Sequence, residues 1–239
     1  MGPMHAIILA GGMGTRLKLV VNDVPKPMAP VGGKPFLEYQ VQQLIRWNIR
    51  DIILCVGYKG DVIKSHFGDG GRWGVRISYE EEDVPLGTGG AIREAARLVT
   101  GESFLVLNGD SYCDLDFDRF REFHAQKGAV LSLALVKLAD SGRYGRVDID
   151  GQCRIVCFRE KQGNAPGFVN SGIYLLNATA LGLLPGSGPA SFEQDVLLKC
   201  REIVMYGMQQ ERFFIDIGVP EDYKYLCRNY KKILGNYCA

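Results

Sequence analysis

The sequence predicts an α/β fold: a mixed, mostly parallel sheet with helices on both faces and a small antiparallel subregion. Three observations carry that expectation. Apolar β-like runs alternate with amphipathic stretches through the first half of the chain, the order of strand–helix–strand units in a parallel sheet. Past Val130 the pattern shifts to successive strand-like runs, with Asp150-Gly151 as a hairpin signal between two of them. The 239 residues suit one large α/β domain, able to bury a sizeable core without disulfides or a metal staple.

The elements follow in order. Residues 5–10 form an apolar strand that runs into a long Gly/Pro loop ending at Lys34. Residues 36–47 read as a helix, because Leu37, Val41, Leu44 and Ile45 recur at helical spacing; Pro35 suits its start. Residues 51–56 are a strand, 61–67 a helix and 76–80 a strand. Thr88 is expected to cap a helix over residues 89–99. Residues 104–107 are a buried strand ending in Asn108-Gly109-Asp110, and 117–126 a helix. Residues 130–138, 146–149, 154–158 and 168–176 are strand-like, while 192–198 and 221–230 are helical. An apolar run, 213–217, surrounds Asp216. No repeat, linker or low-complexity segment divides the chain, so residues 4–239 are expected to form a single domain. Met1-Gly2-Pro3, ahead of Met4, are set aside as added residues.

Composition excludes several classes of function. With 28 Lys+Arg against 27 Asp+Glu the net charge is +1, so the chain as a whole carries no basic footprint for nucleic acid. No apolar run approaches the roughly 20 residues of a membrane span, and the N-terminal apolar stretch is too short for a signal peptide. The expectation is a cytoplasmic protein with small-molecule partners and neither membrane nor nucleic acid among them. Seven scattered cysteines fit free thiols in a reducing compartment. Cys153 and Cys157 are four apart in a strand-like region with no histidine at ligand spacing, which argues against zinc. Aromatic residues near the C-terminus suit either the core or a subunit contact, so the sequence is compatible with a homo-oligomer.

The clearest chemistry is Leu9-Ala10-Gly11-Gly12-Met13-Gly14-Thr15-Arg16-Leu17, directly after the first strand. In open α/β sheets ligands bind beyond the carboxyl ends of strands. Three glycines in four positions let backbone N–H groups approach an anion, and Arg16 adds a forked, permanently charged donor. The P-loop pattern fails, because Thr15-Arg16 stands where Lys-Ser or Lys-Thr is required. The dinucleotide pattern fails too: its third Gly or Ala is missing near Leu17, and Pro25, Pro27 and Pro30 prevent the helix it needs. An extended anion loop carrying Lys26 is left, with a glycine turn beside a surface lysine as the plain alternative.

Gly11-Gly12-Met13-Gly14-Thr15-Arg16-Leu17 with Pro25-Lys26-Pro27-Met28 resembles the signature of the sugar-1-phosphate nucleotidyltransferase family. Leu86-Gly87-Thr88-Gly89-Gly90 resembles the family's base-binding turn, and Asn108-Gly109-Asp110 its metal-binding strand end. Glu160-Lys161, Asn170-Ser171-Gly172 and the segment from Phe214 to Asp222 resemble its sugar and second metal segments. The resemblance implies a Rossmann-like fold of the GT-A-like kind and a set of roles. Leu9, Ala10, Gly11, Gly12, Gly14, Thr15, Arg16, Gly87, Thr88 and Asn108 would bind the nucleotide. Gly109, Gly145, Glu160, Lys161, Asn170 and Gly172 would bind the sugar phosphate, and Asp110 and Asp216 would hold Mg²⁺. Arg16 and Lys26 would be catalytic.

Physical chemistry agrees with parts of this. Asp110 ends an apolar strand and Asp216 sits in Phe-Phe-Ile-Asp-Ile. A carboxylate among apolar neighbours is costly unless paired or metal-bound, although an Asn-Gly-Asp turn, a helix cap or a buried ion pair would also account for them. A phosphate monoester, with a second pKa of about 6, is already largely ionised near neutral pH, so attack on a nucleoside triphosphate needs little general base. His5, His66 and His124 all fall outside the motifs.

The run from Pro25 to Tyr39, the run from Leu86 to Ile92 and the chain length most resemble the family's guanylyltransferases that act on D-glycero-α-D-manno-heptose 1-phosphate. That implies GTP as the nucleotide. Family members acting on mannose 1-phosphate with GTP, or N-acetylmuramate 1-phosphate with a uridine nucleotide, share much of the pattern. Outside this chemistry stand a non-catalytic nucleotide-sugar sensor, which has no need of two metal acids, and a dinucleotide-dependent oxidoreductase, which the failed fingerprint disfavours.

Overall fold

The computed structural model describes residues 4–12, 14, 17, 21, 23–82, 84–159 and 165–235. The chain opens with β1 (His5–Leu9), whose burial is nearly complete. A single 3₁₀ turn, Lys26–Met28, and a small hairpin of β2 (Pro30–Val31) and β3 (Lys34–Pro35) lie within the Gly/Pro loop. Then come α1 (Phe36–Arg46), β4 (Asp51–Val56), α2 (Gly60–Phe67), β5 (Arg76–Glu81) and α3 (Gly87–Ala95). The middle of the chain holds β6 (Ser103–Asn108), β7 (Ser111–Cys113), α4 (Phe117–Gln126) and β8 (Leu131–Leu138). The rest holds β9 (Arg146–Ile149), β10 (Ile155–Arg159), β11 (Gly167–Asn177), α5 (Phe192–Asp195), β12 (Tyr206–Gln210), β13 (Phe214–Asp216) and α6 (Pro220–Ile233).

Seven strands make the main sheet in the order β12-β8-β11-β6-β1-β4-β5. Neighbours pair in parallel except β11, which is antiparallel to both β6 and β8. The expected sheet is therefore present, but the strand-like runs ending at Leu138 and Leu176 belong to it. The antiparallel subregion is the β9–β10 pair, with shorter pairs β7–β13 and β2–β3 beside it. Successive residues of one strand feed opposite faces. Ala6, Ile8, Leu105 and Leu107 pack with Leu37, Val41 and Leu44 of α1 and Phe120 of α4. Ile7, Ile53, Phe104 and Val106 pack on the other side with Ile92 of α3 and Phe192 of α5. The many fully buried apolar side chains on both faces supply most of the folding drive, at about 1.5–3 kcal/mol each.

A third, smaller core lies beyond the sheet. Tyr223 and Leu226 of α6 pack with Val31, Phe36, Tyr39, Tyr112 and Ile215. The Tyr223 hydroxyl donates to the Pro30 carbonyl at 2.6 Å. The Tyr230 ring lies so close over Gly32 that a Cβ there would stand 2.2 Å from it. Helix α6 thus holds down the hairpin that follows Lys26, and of the three tyrosines on α6, Tyr223, Tyr225 and Tyr230, only Tyr225 is exposed.

Three expectations need correction. Thr88 does not cap a helix. Helix α3 begins at Gly87, and the N–H groups of Gly89 and Gly90 donate to the Ala190 carbonyl. The Thr88 hydroxyl instead donates to Glu193 Oε2 at 2.7 Å and accepts from the Phe192 N–H at 2.9 Å, tying α3 to α5. The helix expected over residues 192–198 is one turn, because Val196 leaves helical geometry at ψ −62° with φ −121°. The Asp150-Gly151 signal does mark a hairpin, but the left-handed residue is Cys153, at φ 65°. Asp150 Oδ1 organises the wider turn by accepting from the N–H groups of Gln152 and Arg154. Strands β2, β3, β7 and β12 had no expectation.

The six described cysteines are free. Burial pushes the Cys113 thiol up to about 12 and raises that of Cys55 as well, which marks both as inert packing residues. Among the described residues no helix is long and apolar enough to cross a membrane.

Candidate active site

A cleft of about 700 Å³ opens where the parallel strands end, the position at which open α/β sheets bind ligands. Its size lies in the range of small-molecule sites. One wall is the loop after β1, through Leu9, Gly11, Gly12 and Gly14. Another is the start of α3, through Gly87 and Thr88. The turn between β6 and β7 brings Asn108, Gly109 and Asp110 to the floor, and Lys26 reaches in from the 3₁₀ turn. Ala10 lies beneath, buried, with its N–H donated to the Cys55 carbonyl at 2.9 Å.

Parallel pairing places the floor. Leu9 of β1 stands beside Asn108 of β6 and Cys55 of β4. The Gly109 N–H then donates to the Leu9 carbonyl at 2.9 Å. A Cβ on Gly109 would lie 2.5 Å from that carbonyl oxygen, so only glycine lets the two strand ends meet. Two residues apart in sequence, Asn108 and Asp110 therefore face the same cleft as the glycine loop.

Lys26 and Asp110 form the site's central ion pair, Nζ to Oδ2 at 2.6 Å, with side chains 11 % and 31 % exposed. Asp216 lies on the next strand over. β13 runs antiparallel to β7, with Asp216 opposite Ser111 and the Ile217 N–H donated to the Asp110 carbonyl at 2.9 Å. A Cβ on Gly218 would meet both Asp216 Oδ1 and Lys26 Nζ, so the lysine tip and both aspartates converge there. Two carboxylates beside one ammonium fit a divalent cation of the oxygen-seeking kind, which keeps water and phosphate oxygens for its remaining positions. They do not form a closed protein cage, and no cluster of three or more metal-ligating side chains occurs among the described residues.

The other expected residues sit at the edges. Asn170 and Gly172 lie at a break in the β11–β8 register, outside the lining of the cleft. Gly172, at φ 76°, would put a Cβ 2.8 Å from Asn108 Nδ2, so it seats Asn108. Asn170 accepts from the Gly172 N–H and donates to the Tyr174 hydroxyl. Gly145 lies at the foot of the β9–β10 pair, near the Arg159 carbonyl. Beside it the Tyr144 hydroxyl and Arg143 both bond Asp222 of α6; burial and the Asp222 charge push Tyr144 up to about 12. Thr15, Arg16, Glu160 and Lys161 lie outside the described residues.

Several lining residues had no expectation. Gly57 and Tyr58 follow β4 directly, and the strand-end rule applied to that strand would have found them. Glu82 lies just past the end of β5. Burial raises its carboxyl above the ordinary glutamate range against the lowering effect of the Leu86 N–H, and Glu80 raises it further. Glu193 arrives from α5, and no local pattern in the sequence could have placed it. None of the three histidines lines the cleft. His124 is a buried structural residue between Ser132 and Asn177, and burial lowers its pKa.

Residues 5–232 match the family described as nucleotidyl transferase. The chain belongs to the nucleotidyl transferase family. Two relatives are D-glycero-α-D-manno-heptose 1-phosphate guanylyltransferases. The one from Campylobacter jejuni is 41% identical over 95% of this chain and 100% of its own length. That from Aneurinibacillus thermoaerophilus is 42% identical over 92% of this chain and 96% of its own. A crystal structure of HddC from Yersinia pseudotuberculosis complexed with GMP-PN superposes on this nucleotidyl transferase with a TM-score of 0.85 and 36% identity, covering 95% of this chain and 100% of that one. Mannose-1-phosphate guanylyltransferase from Mycobacterium tuberculosis is 34% identical over 92% of this chain and 62% of its own length.

Proposed function

We propose that this nucleotidyl transferase joins GMP, taken from GTP, to D-glycero-α-D-manno-heptose 1-phosphate, releasing pyrophosphate and forming a GDP-heptose for surface-glycan synthesis. The observation that supports the reaction class best is the Lys26–Asp110 pair beside Asp216, set at the end of a strand-edge cleft. The base and the sugar rest on the two heptose guanylyltransferases that align along nearly the whole chain. Residues 4–239 act as one domain, in the cytoplasm, on two small-molecule substrates.

A sugar-phosphate oxygen attacks the α-phosphorus and pyrophosphate leaves in line. The nucleophile is already an anion near neutral pH, so the chain's task is positioning and charge stabilisation. Gly11, Gly12, Gly14 and Thr15 present backbone to the triphosphate, with Leu9 and Ala10 supporting them from the strand end; Gly87, Thr88 and Asn108 hold the nucleoside. Lys26 turns its ammonium from Asp110 towards the phosphates, and Arg16 balances charge on the departing pyrophosphate. Lys161 holds the sugar phosphate, Glu160 and Asn170 take sugar hydroxyls, and Gly109, Gly145 and Gly172 allow close approach. Nucleotidyl transferases generally use a divalent metal; Mg²⁺ would be held in this chain by Asp110 and Asp216 and would supply positive charge to neutralise the phosphates.

The test is a matrix of GTP, ATP, UTP and dTTP against heptose, mannose and N-acetylmuramate 1-phosphates, read by pyrophosphate release. The heptose–GTP pair is expected to give the highest kcat/KM. A maximum at mannose 1-phosphate would favour the second reading, supported by the relatives that act on that sugar. Tight nucleotide binding with no release in any cell would instead indicate a sensor.

A further inference from the structure

We infer that Gln40 is a positioning residue for the metal-binding aspartate, clamping both ends of the turn that carries Asp110; this rests on the role given above to Asp110. Gln40 lies on α1, 1 % exposed. Its amide nitrogen donates to the Asn108 carbonyl at 2.8 Å and to the Ser111 carbonyl at 2.7 Å. Those two residues bracket Gly109-Asp110, so one side chain staples the turn from below while Asp110 points into the cleft above. Both partners are carbonyl oxygens, which fixes the orientation of the amide: only its nitrogen serves.

The other end of the same amide supplies the argument for function. Gln40 Oε1 is buried and, among the described residues, has no hydrogen-bond partner. A buried unsatisfied carbonyl costs free energy that an apolar residue of the same size would avoid. A glutamine held there at that cost does something packing cannot, and what it does is deliver two N–H groups to the Asp110 turn. The Gly109 N–H goes to Leu9 and the Ile217 N–H to Asp110, so the turn is tied to β1 on one side, to β13 on another and to α1 beneath. With all three in place the Asp110 carboxylate is held towards Lys26 and Asp216; without the last, the turn pivots on its glycine.

An internal control sits one turn along the helix. Gln43 is equally buried and donates to the Cys113 carbonyl at 2.7 Å, three residues past Asp110. Gln40→Met and Gln43→Met each remove a buried donor from the same helix face with little change in volume. Both should lower thermal stability. Only Gln40→Met should weaken Mn²⁺ binding, measured by isothermal titration without nucleotide, by about 10-fold or more, the scale seen when outer contacts to metal ligands are lost. Only Gln40→Met should cut kcat about 10-fold while KM for GTP stays within about twofold. Gln40→Asn, one methylene shorter and able to reach one carbonyl, should fall between and serves if the methionine variant does not fold. Mn²⁺ affinity unchanged in the Gln40 variants, or lost equally in Gln43→Met, overturns the assignment. The Mn²⁺ arm needs no sugar, so it stands or falls apart from the choice of substrate.

Discussion

The floor of the cleft and the antiparallel corner around β9 and β10 are built on different physical terms. The floor is backbone against backbone: Gly109 on Leu9, with Gly11 and Gly57 in near contact. The corner is side chain against side chain at the surface. There Asp148 takes both Arg146 and Arg159, and Asp222 takes Arg143 and the Tyr144 hydroxyl. Close backbone contact leaves no slack, because interiors pack near crystal density. Exposed ion pairs are worth little each and yield readily. The cleft floor is therefore rigid and intolerant of change, and the β9–β10 corner is adjustable.

The comparison can be broken at four places. Lys26→Ala and Asp110→Ala should each lower turnover at least about 100-fold, as loss of preorganised charge does, with circular dichroism unchanged. A near-normal rate in either purified variant removes that residue from the mechanism. Gly109→Ala should cost about 1–3 kcal/mol of stability, typical of overpacking, because its methyl meets the Leu9 oxygen at 2.5 Å. Urea denaturation would read this as a lower midpoint, and an unchanged midpoint would show that the floor does have slack. Glu82 gives a smaller, pH-dependent effect. Burial raises its carboxyl, so the folded state holds that proton more tightly than the unfolded chain. The associated stability is complete below the ordinary glutamate range and is lost as pH rises through the raised value. Glu82→Gln, which keeps an acceptor for the Leu86 N–H, should raise Tm at pH 8 and converge on the parent towards pH 4; a lower Tm at pH 8 contradicts it. Arg159→Ala should matter least. Arg159 is exposed and Asp148 keeps Arg146, so the change should stay within about 1 kcal/mol. A larger loss would show that the corner is not adjustable.

The same division governs what the sequence made legible. β4 and α4 have the bounds read from the sequence, because their apolar patterns are local and strong. The glycine loop, Lys26, Asp110 and the Asn108 strand end were legible as a pattern of residue types at strand termini, and they do meet at the cleft. Thr88 was misread because the carbonyl that caps α3 comes from Ala190, about a hundred residues on, and no local signal carries that. Strand β12 was invisible, since Tyr-Gly-Met-Gln-Gln lacks both β-branched residues and alternation. Glu193 and the Gln40 clamp depend on how α5 and α1 pack against the sheet, which side-chain spacing alone does not reveal.

The seating of Tyr230 on Gly32 and of Tyr223 on the Pro30 carbonyl has a consequence in time. Synthesis proceeds from the N-terminus and folding can begin before it ends. β1, β4, β5 and β6 are all made within the first half of the chain, so most of the cleft lining can assemble early. The segment that bears Lys26 is also made early, yet its backing, α6, is made long after it, and Asp216 comes only just before that helix. A half-made chain holds most of the cleft lining but neither Asp216 nor the helix that backs Lys26.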